Sequence, residues 1–412
     1  MSDTYCKRVE NETILRGFSK AGEIALCCKS QDPFPMDTDI NELQKVKYAL
    51  QDGYKHPHCN FCWRQEEKGI KSWRQIGNEI EMNYRNVEIY LDNTCDLACV
   101  YCSPKYSSSW SQEIKFAKNN NIDIKDYINE DPYDKQKEQY NHLPKILSYI
   151  EQLGREAKES KPLYLCLLGG EPLLSTAFKK DIIDAIVSAF YKTAHRKAFL
   201  GINIVTNCNT PDPIINKCIK KIKQNKQMHP NLDIHISVSV EGTGERAEYV
   251  RYGLDWNQFH KNLRKWLMLK ECSVSFSMAV NLISWKSTPG FFEWAFYIAK
   301  EHGQKISFQF NTVMYPLHLS INMLPQDQFF IFDEIEKICI KNKEQFPDEG
   351  TYNRFMIQVE QAKNKFSSLS TDKELINKTI KYIDYIKKYR KKDINDFNPE
   401  LHEYLISQRD GK

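Results

Sequence analysis

"VEIYLDNTCDLACVYC", residues 87–102, runs from a strand-like stretch straight into three cysteines, Cys95, Cys99 and Cys102. Three thiols are an odd number for disulfides. They are also one ligand short of a closed zinc site, and no His or Cys follows Cys102 closely enough to complete one. A cubane iron–sulfur cluster held by three thiolates keeps one iron open, and that open iron can bind a substrate or cofactor directly.

Outward from this stretch, strand-like runs recur at 163–168, 199–206, 233–240, 273–281 and 305–312. Helix-like stretches at 143–158, 176–194, 213–226, 257–271 and 289–302 separate them. Such alternation predicts parallel βα units, and six units are too few for a closed eight-stranded barrel. The later strands are two-faced: His235, Ser237, Ser239 and Glu241 oppose Ile236, Val238 and Val240, and Ser307, Gln309 and Asn311 oppose Ile306, Phe308 and Phe310. Parallel strands buried on both sides read as continuous apolar runs. The expected fold is therefore α/β, a partial (β/α)6 barrel with helices on its apolar side and a polar lumen. A small N-terminal cysteine-rich module (1–85) precedes the barrel (86–316), and a helical C-terminal extension (317–412) follows it. The polar stretch 119–142 reads as an insertion, and the basic run near 378–392 as one face of a solvated helix.

The chain has 412 residues, 41% hydrophobic and 27% charged, with a net charge of +4. So small a charge does not predict a nucleic-acid partner. The first residues lack an apolar signal-peptide core and no run is long enough to span a membrane, so a cytoplasmic protein is expected. Its 13 cysteines are then reduced thiols or metal ligands. The isolated Cys166, Cys208, Cys218, Cys272 and Cys339 read as small buried hydrophobes.

The Cys95-x3-Cys99-x2-Cys102 motif, with Tyr101 before its last cysteine, resembles the radical S-adenosylmethionine (SAM) superfamily. The resemblance implies a 4Fe–4S cluster whose open iron chelates SAM, followed by reductive cleavage to a 5′-deoxyadenosyl radical that abstracts hydrogen from a substrate. It also implies roles at strand ends. Gly169, Gly170 and Glu171 in "LLGGEP" match the motif that receives the SAM amino group. Thr206, Asn207, Ser237, Ser239 and Glu241 stand at the level of the ribose and methionyl end. Arg251 is placed to fork onto the SAM carboxylate.

In the first segment Cys6 and Cys27 frame Gly22 as Cys-x15-Gly-x4-Cys, and Cys59-x2-Cys62 follows. Four thiolates would close a second 4Fe–4S cluster or a tetrahedral zinc site. The spacing resembles the SPASM module and its shorter relative, the twitch module, which hold auxiliary clusters beside radical SAM barrels. "SSSW" and "GERAEYVRYGLDW" are similar to a twitch-containing subgroup. On this reading Cys28 is a spare thiol and the auxiliary cluster serves electron transfer. The whole is an oxidoreductase-type enzyme served by a flavodoxin- or ferredoxin-type donor. A small nucleotide or sugar-like substrate fits the polar lumen; a peptide side chain is the alternative. A non-catalytic iron–sulfur redox sensor is the reading from another class.

Overall fold

A computed structural model describes residues 3–17, 21–30, 32–79, 81–124, 127, 142–179, 181–324, 326–365 and 372–410. The chain divides into two compact units: Met1–Asn93 with Lys135–Val205 and Asn216–His235, and Thr94–Asp134 with Thr206–Ile215 and Ile236–Lys412. Most of the insertion expected at 119–142 lies outside the described residues.

In the first unit, β1 (Glu12–Arg16), β2 (Glu23–Ala25), β3 (Phe34–Pro35), β4 (Arg85–Tyr90), β6 (Leu163–Leu168) and β7 (Leu200–Thr206) lie in the order β7-β6-β4-β1-β2-β3; β5 (Ala98–Cys99) belongs to the second unit. β1, β4, β6 and β7 run parallel, and β2 and β3 are antiparallel additions. The parallel pairing of β1 with β4 is a strand that sequence reading did not foresee. The N-terminal segment thus shares its sheet with the first strand of the βα series. Leu163, Leu165 and Leu167 alternate inward with Leu200, Ile202 and Ile204, all essentially dry. They face the helices Leu143–Glu156 and Ile182–Tyr191, whose Ile146, Ile150, Leu153, Ile186 and Phe190 are buried. Those helices meet at Gly154, where a Cβ would stand 2.6 Å from the Phe190 carbonyl oxygen.

The opposite face is polar, as the alternation requires. Glu88, Cys166 and Asn203 are neighbours in register across β4, β6 and β7. Asn203 donates to Cys166 Sγ at 3.3 Å. Cys208, Cys218, Cys272 and Cys339 are buried as expected, but Cys166 is only half-buried and belongs to this polar row.

β8 (Leu232–Ser239) begins in the first unit and ends in the second. There, β10 (Ser273–Val280) and β11 (Ser307–Thr312) pair in parallel. Their apolar faces hold Phe276, Met278, Phe308 and Phe310, with the Phe276 and Phe308 rings stacked at 5.9 Å. Helix Thr288–Glu301 closes over them with Phe291, Phe292 and Phe296. On the polar side Gln309 and Asn311 are exposed, whereas Ser237 and Ser275 are buried and bond each other at 3.0 Å. Asn281 also leaves the wall: its Oδ1 accepts from the Ile283 and Ser284 N–H groups, making a turn. A short ladder joins β5 (Ala98–Cys99) to β9 (Arg251–Tyr252). Helices Lys373–Arg390 and Pro399–Asp410 end the unit. Among the described residues no helix is long and apolar enough to cross a membrane.

Candidate functional site

Backbone and side-chain hydrogen bonds hold the three cysteines in place. Cys99 stands opposite Arg251 in the antiparallel β5–β9 ladder, and the Val100 N–H extends it by donating to Val250 O at 2.8 Å. The turn closes through Cys102 N–H to Cys99 O at 3.0 Å. The serine run then folds back. Ser107 Oγ donates to Leu97 O at 2.5 Å and Ser109 Oγ to Cys95 O at 2.7 Å, while Ser108 Oγ accepts from the Cys95 N–H at 3.2 Å. Serine hydroxyls suit this because a short polar side chain can satisfy loop backbone that no ladder reaches.

Behind Cys99 lies a buried polar network. Arg251 forks onto Glu241, Nε to Oε2 at 2.7 Å and Nη2 to Oε1 at 2.6 Å, both residues being almost fully buried. Tyr101 donates its hydroxyl to Glu241 Oε1 at 2.9 Å, and the Ala279 N–H adds a bond at 3.1 Å. The remaining guanidinium nitrogen, Nη1, reaches Cys99 Sγ at 4.0 Å. Burial works against the charge on Arg251, yet Glu241 holds it firmly protonated. Burial pushes the Cys99 thiol up, and the guanidinium pulls the other way. The structure thus brings Cys99, Tyr101, Glu241 and Arg251 together. In this structure the fork of Arg251 is made to Glu241.

A second clamp holds Cys95. Asn207 and Asn209 each donate to one oxygen of Asp96 at 2.7 Å, and Asn207 Nδ2 lies 3.9 Å from Cys95 Sγ. Thr206 is buried and its Oγ1 accepts from the Cys208 N–H at 3.0 Å, which sets this turn. Ser239 is half-buried at the end of β8. Asp96 and Asn209 were missed by sequence reading. Asp96 lies inside the cysteine motif and Asn209 two positions past Asn207, so adjacency was their only signal.

In the first unit, Gly169 has φ +133°, and a Cβ there would meet Asp92 O at 2.5 Å. The Gly170 N–H donates to that same oxygen at 2.9 Å. Fully buried Glu171 starts a short 3-10 helix and accepts from the Leu173 N–H at 3.1 Å. Glycine is needed because the turn brings two backbones into contact at a left-handed φ.

The N-terminal thiols Cys6, Cys27, Cys59 and Cys62 are all buried. Burial pushes Cys6 up to about 11 and Cys59 up to about 12, and Cys6 and Cys62 both act on Cys59. Cys27 shares a hydrogen bond with exposed Cys28, which holds Cys27 up and Cys28 down. Glu12, Cys27 and Cys28 are the only three metal-ligating groups, among the described residues, whose ligand atoms all lie within 4.8 Å of one another.

That finding bears on what the trio can hold. Tetrahedral zinc needs sulfurs about 3.8 Å apart, whereas a cubane binds each thiolate at a different iron corner. Cys95, Cys99 and Cys102 are not gathered as a single small ion would need them. Three N–H donors are aimed at two of the sulfurs, Leu97 at 3.5 Å and Asn207 on Cys95, and Arg251 on Cys99, while the Cys102 thiol donates to Ser103 O at 3.7 Å. Such donors complement thiolates and cluster sulfurs better than neutral thiols. Cys95 and Cys99 thus have the donors that a cluster-bound thiolate would accept.

No family model and no curated protein matches this chain. Among solved structures, native anSMEcpe with bound AdoMet is similar at 15% identity and TM-score 0.42, over 62% of this chain and 61% of that one. Native anSMEcpe with bound AdoMet and a Cp18Cys peptide is similar at 13% identity and TM-score 0.41, over 62% of this chain and 60% of that one. Likeness at this level does not define the family.

Proposed function

We propose that this chain is a radical SAM enzyme in which Cys95, Cys99 and Cys102 carry a 4Fe–4S cluster and the fourth iron receives SAM. The observation that carries the reading is the convergence of N–H donors on Cys95 and Cys99 in a loop that the β5–β9 ladder anchors. When bound, the cluster and SAM supply a 5′-deoxyadenosyl radical able to remove a hydrogen atom from an unactivated carbon. The protein's own contribution is positional. Tyr101, Glu241 and Arg251 hold the loop and place positive charge beside a thiolate. Asn207, held by Asp96, donates toward Cys95. Gly169, Gly170, Glu171, Thr206, Ser237 and Ser239 are proposed to receive SAM.

Cys6, Cys27, Cys59 and Cys62 are proposed to hold the auxiliary 4Fe–4S cluster, which fills their coordination and suits electron transfer. A flavodoxin- or ferredoxin-type protein is the proposed reductant. For the substrate, the polar strand faces favour a small nucleotide or sugar-like molecule, with a peptide side chain as the alternative reading. Anaerobic reconstitution followed by SAM and dithionite tests the proposal. Release of 5′-deoxyadenosine that disappears in a Cys95/Cys99/Cys102→Ala variant supports it; an iron-loaded protein that releases none is a redox sensor instead.

A further inference from the structure

We infer that the C-terminal helix Lys373–Arg390 is the backing of the cysteine loop, with Tyr382 as the residue that positions it. The inference rests on the reading that Cys95, Cys99 and Cys102 hold the metal. It adds a function for a part of the chain to which the sequence assigned none.

The link is a single buried hydrogen bond. Tyr382 donates its hydroxyl to Val100 O at 2.8 Å, across 282 residues of chain. Val100 lies between Cys99 and Cys102 and is wholly buried. Its N–H is engaged by Val250 and its carbonyl by Tyr382, so the peptide that sets the relation between two ligand cysteines is fixed from both sides. Water cannot replace the hydroxyl in so dry a site, and an unmet carbonyl there is costly.

The same helix continues the contact three and eight residues after Tyr382. Tyr385 donates to Glu113 O at 3.4 Å. Arg390 Nε bonds Glu113 Oε1 at 2.9 Å, both side chains being about 1% exposed. Its guanidinium covers the ring of Tyr252, neighbour of Arg251 in the ladder, at 4.7 Å, and that of Trp110, which ends the serine run, at 5.6 Å. One helix therefore touches the loop, the ladder strand beside it and the helix Trp110–Asn119 that follows it.

Wild type, Tyr382→Phe and Tyr385→Phe are reconstituted anaerobically. Iron and sulfide per chain, the EPR signal of the reduced protein that responds to SAM, and the loss of that signal under a chelator are measured. Unfolding midpoints are recorded alongside. Tyr382→Phe is expected to keep the wild-type circular dichroism yet show an altered line shape and lose the signal about tenfold faster. Tyr385→Phe, whose hydroxyl serves Glu113 and not the loop, is expected to behave as wild type. Identical line shape and loss rate in Tyr382→Phe overturn the inference. So does faster loss that merely tracks a lowered unfolding midpoint in both variants, since that is stability alone. A wild-type protein that takes up iron but yields no SAM-responsive signal overturns the reading itself, and this inference with it.

Discussion

Cys99 and Arg251 sit opposite each other in a two-stranded ladder, and the guanidinium spends two nitrogens on Glu241 and turns the third toward the Cys99 sulfur. A cysteine and a cation 152 residues apart are thereby one local unit. The ladder sets their relation through backbone bonds, which leaves the side chains little freedom to drift. The fork geometry suits arginine: its planar guanidinium meets both carboxylate oxygens side by side and keeps a separate nitrogen for the sulfur, whereas a lysine ammonium concentrates its donors on one nitrogen.

This arrangement makes a stability prediction. Arg251→Met leaves the Glu241 carboxylate buried with only Tyr101 and the Ala279 N–H, and is expected to cost about 3–5 kcal/mol in denaturant unfolding. The Glu241→Leu/Arg251→Met double variant removes the stranded charge and should recover a large part of that loss. Losses that simply add would show that the two groups do not act as a pair.

Much of the βα series was legible because strand and helix periods are local properties. The strand expected at 163–168 is Leu163–Leu168, and the helices expected at 143–158 and 257–271 are Leu143–Glu156 and Trp256–Leu267. The spacing of the cysteine trio is likewise a local property. The long-range partners were not legible. Nothing near "IKYIDYIKKYR" signals that Tyr382 reaches Val100 or that Arg390 is buried against Glu113. The basic run reads as solvated because its lysines are, but the tyrosines between them form the dry face. Glu12–Arg16 escaped notice as a strand because a short run beside Cys6 was read as part of a metal module.

Two glycines should respond in opposite directions. Gly169→Ala forces a left-handed φ on a side chain and drives its Cβ against the Asp92 carbonyl. A loss of about 1–3 kcal/mol is expected, together with weaker SAM binding by calorimetry. Gly290, in helix Thr288–Glu301, has open space where a Cβ would go. Gly290→Ala should add about 0.5–1 kcal/mol by restricting the unfolded chain.

Acid should weaken the second unit through His318. Burial pushes this imidazole down to about 3, and its ring lies perpendicular to that of Tyr382 with centroids 5.2 Å apart. In the unfolded chain the group titrates near about 6.5, so below that pH the unfolded state takes up a proton the folded state refuses. Stability is then lost at about 1.4 kcal/mol per pH unit, down toward the folded value. Urea midpoints measured from about pH 6.5 to about pH 5 should fall in wild type and fall less in His318→Phe, which keeps the aromatic edge without the titration. Equal slopes in the two proteins would assign the acid response to other groups.

The N-terminal thiols give the last test, because two ligand choices compete at one position. Cys27 and Cys28 are adjacent and hydrogen-bonded, yet Cys27 is buried, as Cys6, Cys59 and Cys62 are, and Cys28 is exposed. A cluster seated among the buried thiols draws on Cys27 and leaves Cys28 facing solvent. In a Cys95/Cys99/Cys102→Ala background, metal analysis should then find about four irons per chain. Adding Cys28→Ser should leave that content intact, and adding Cys27→Ser should abolish it. One zinc in place of iron would assign the segment a structural ion. Iron lost with Cys28→Ser but kept with Cys27→Ser would move the fourth ligand to the exposed thiol, beside Glu12, where the carboxylate lies within reach of both sulfurs.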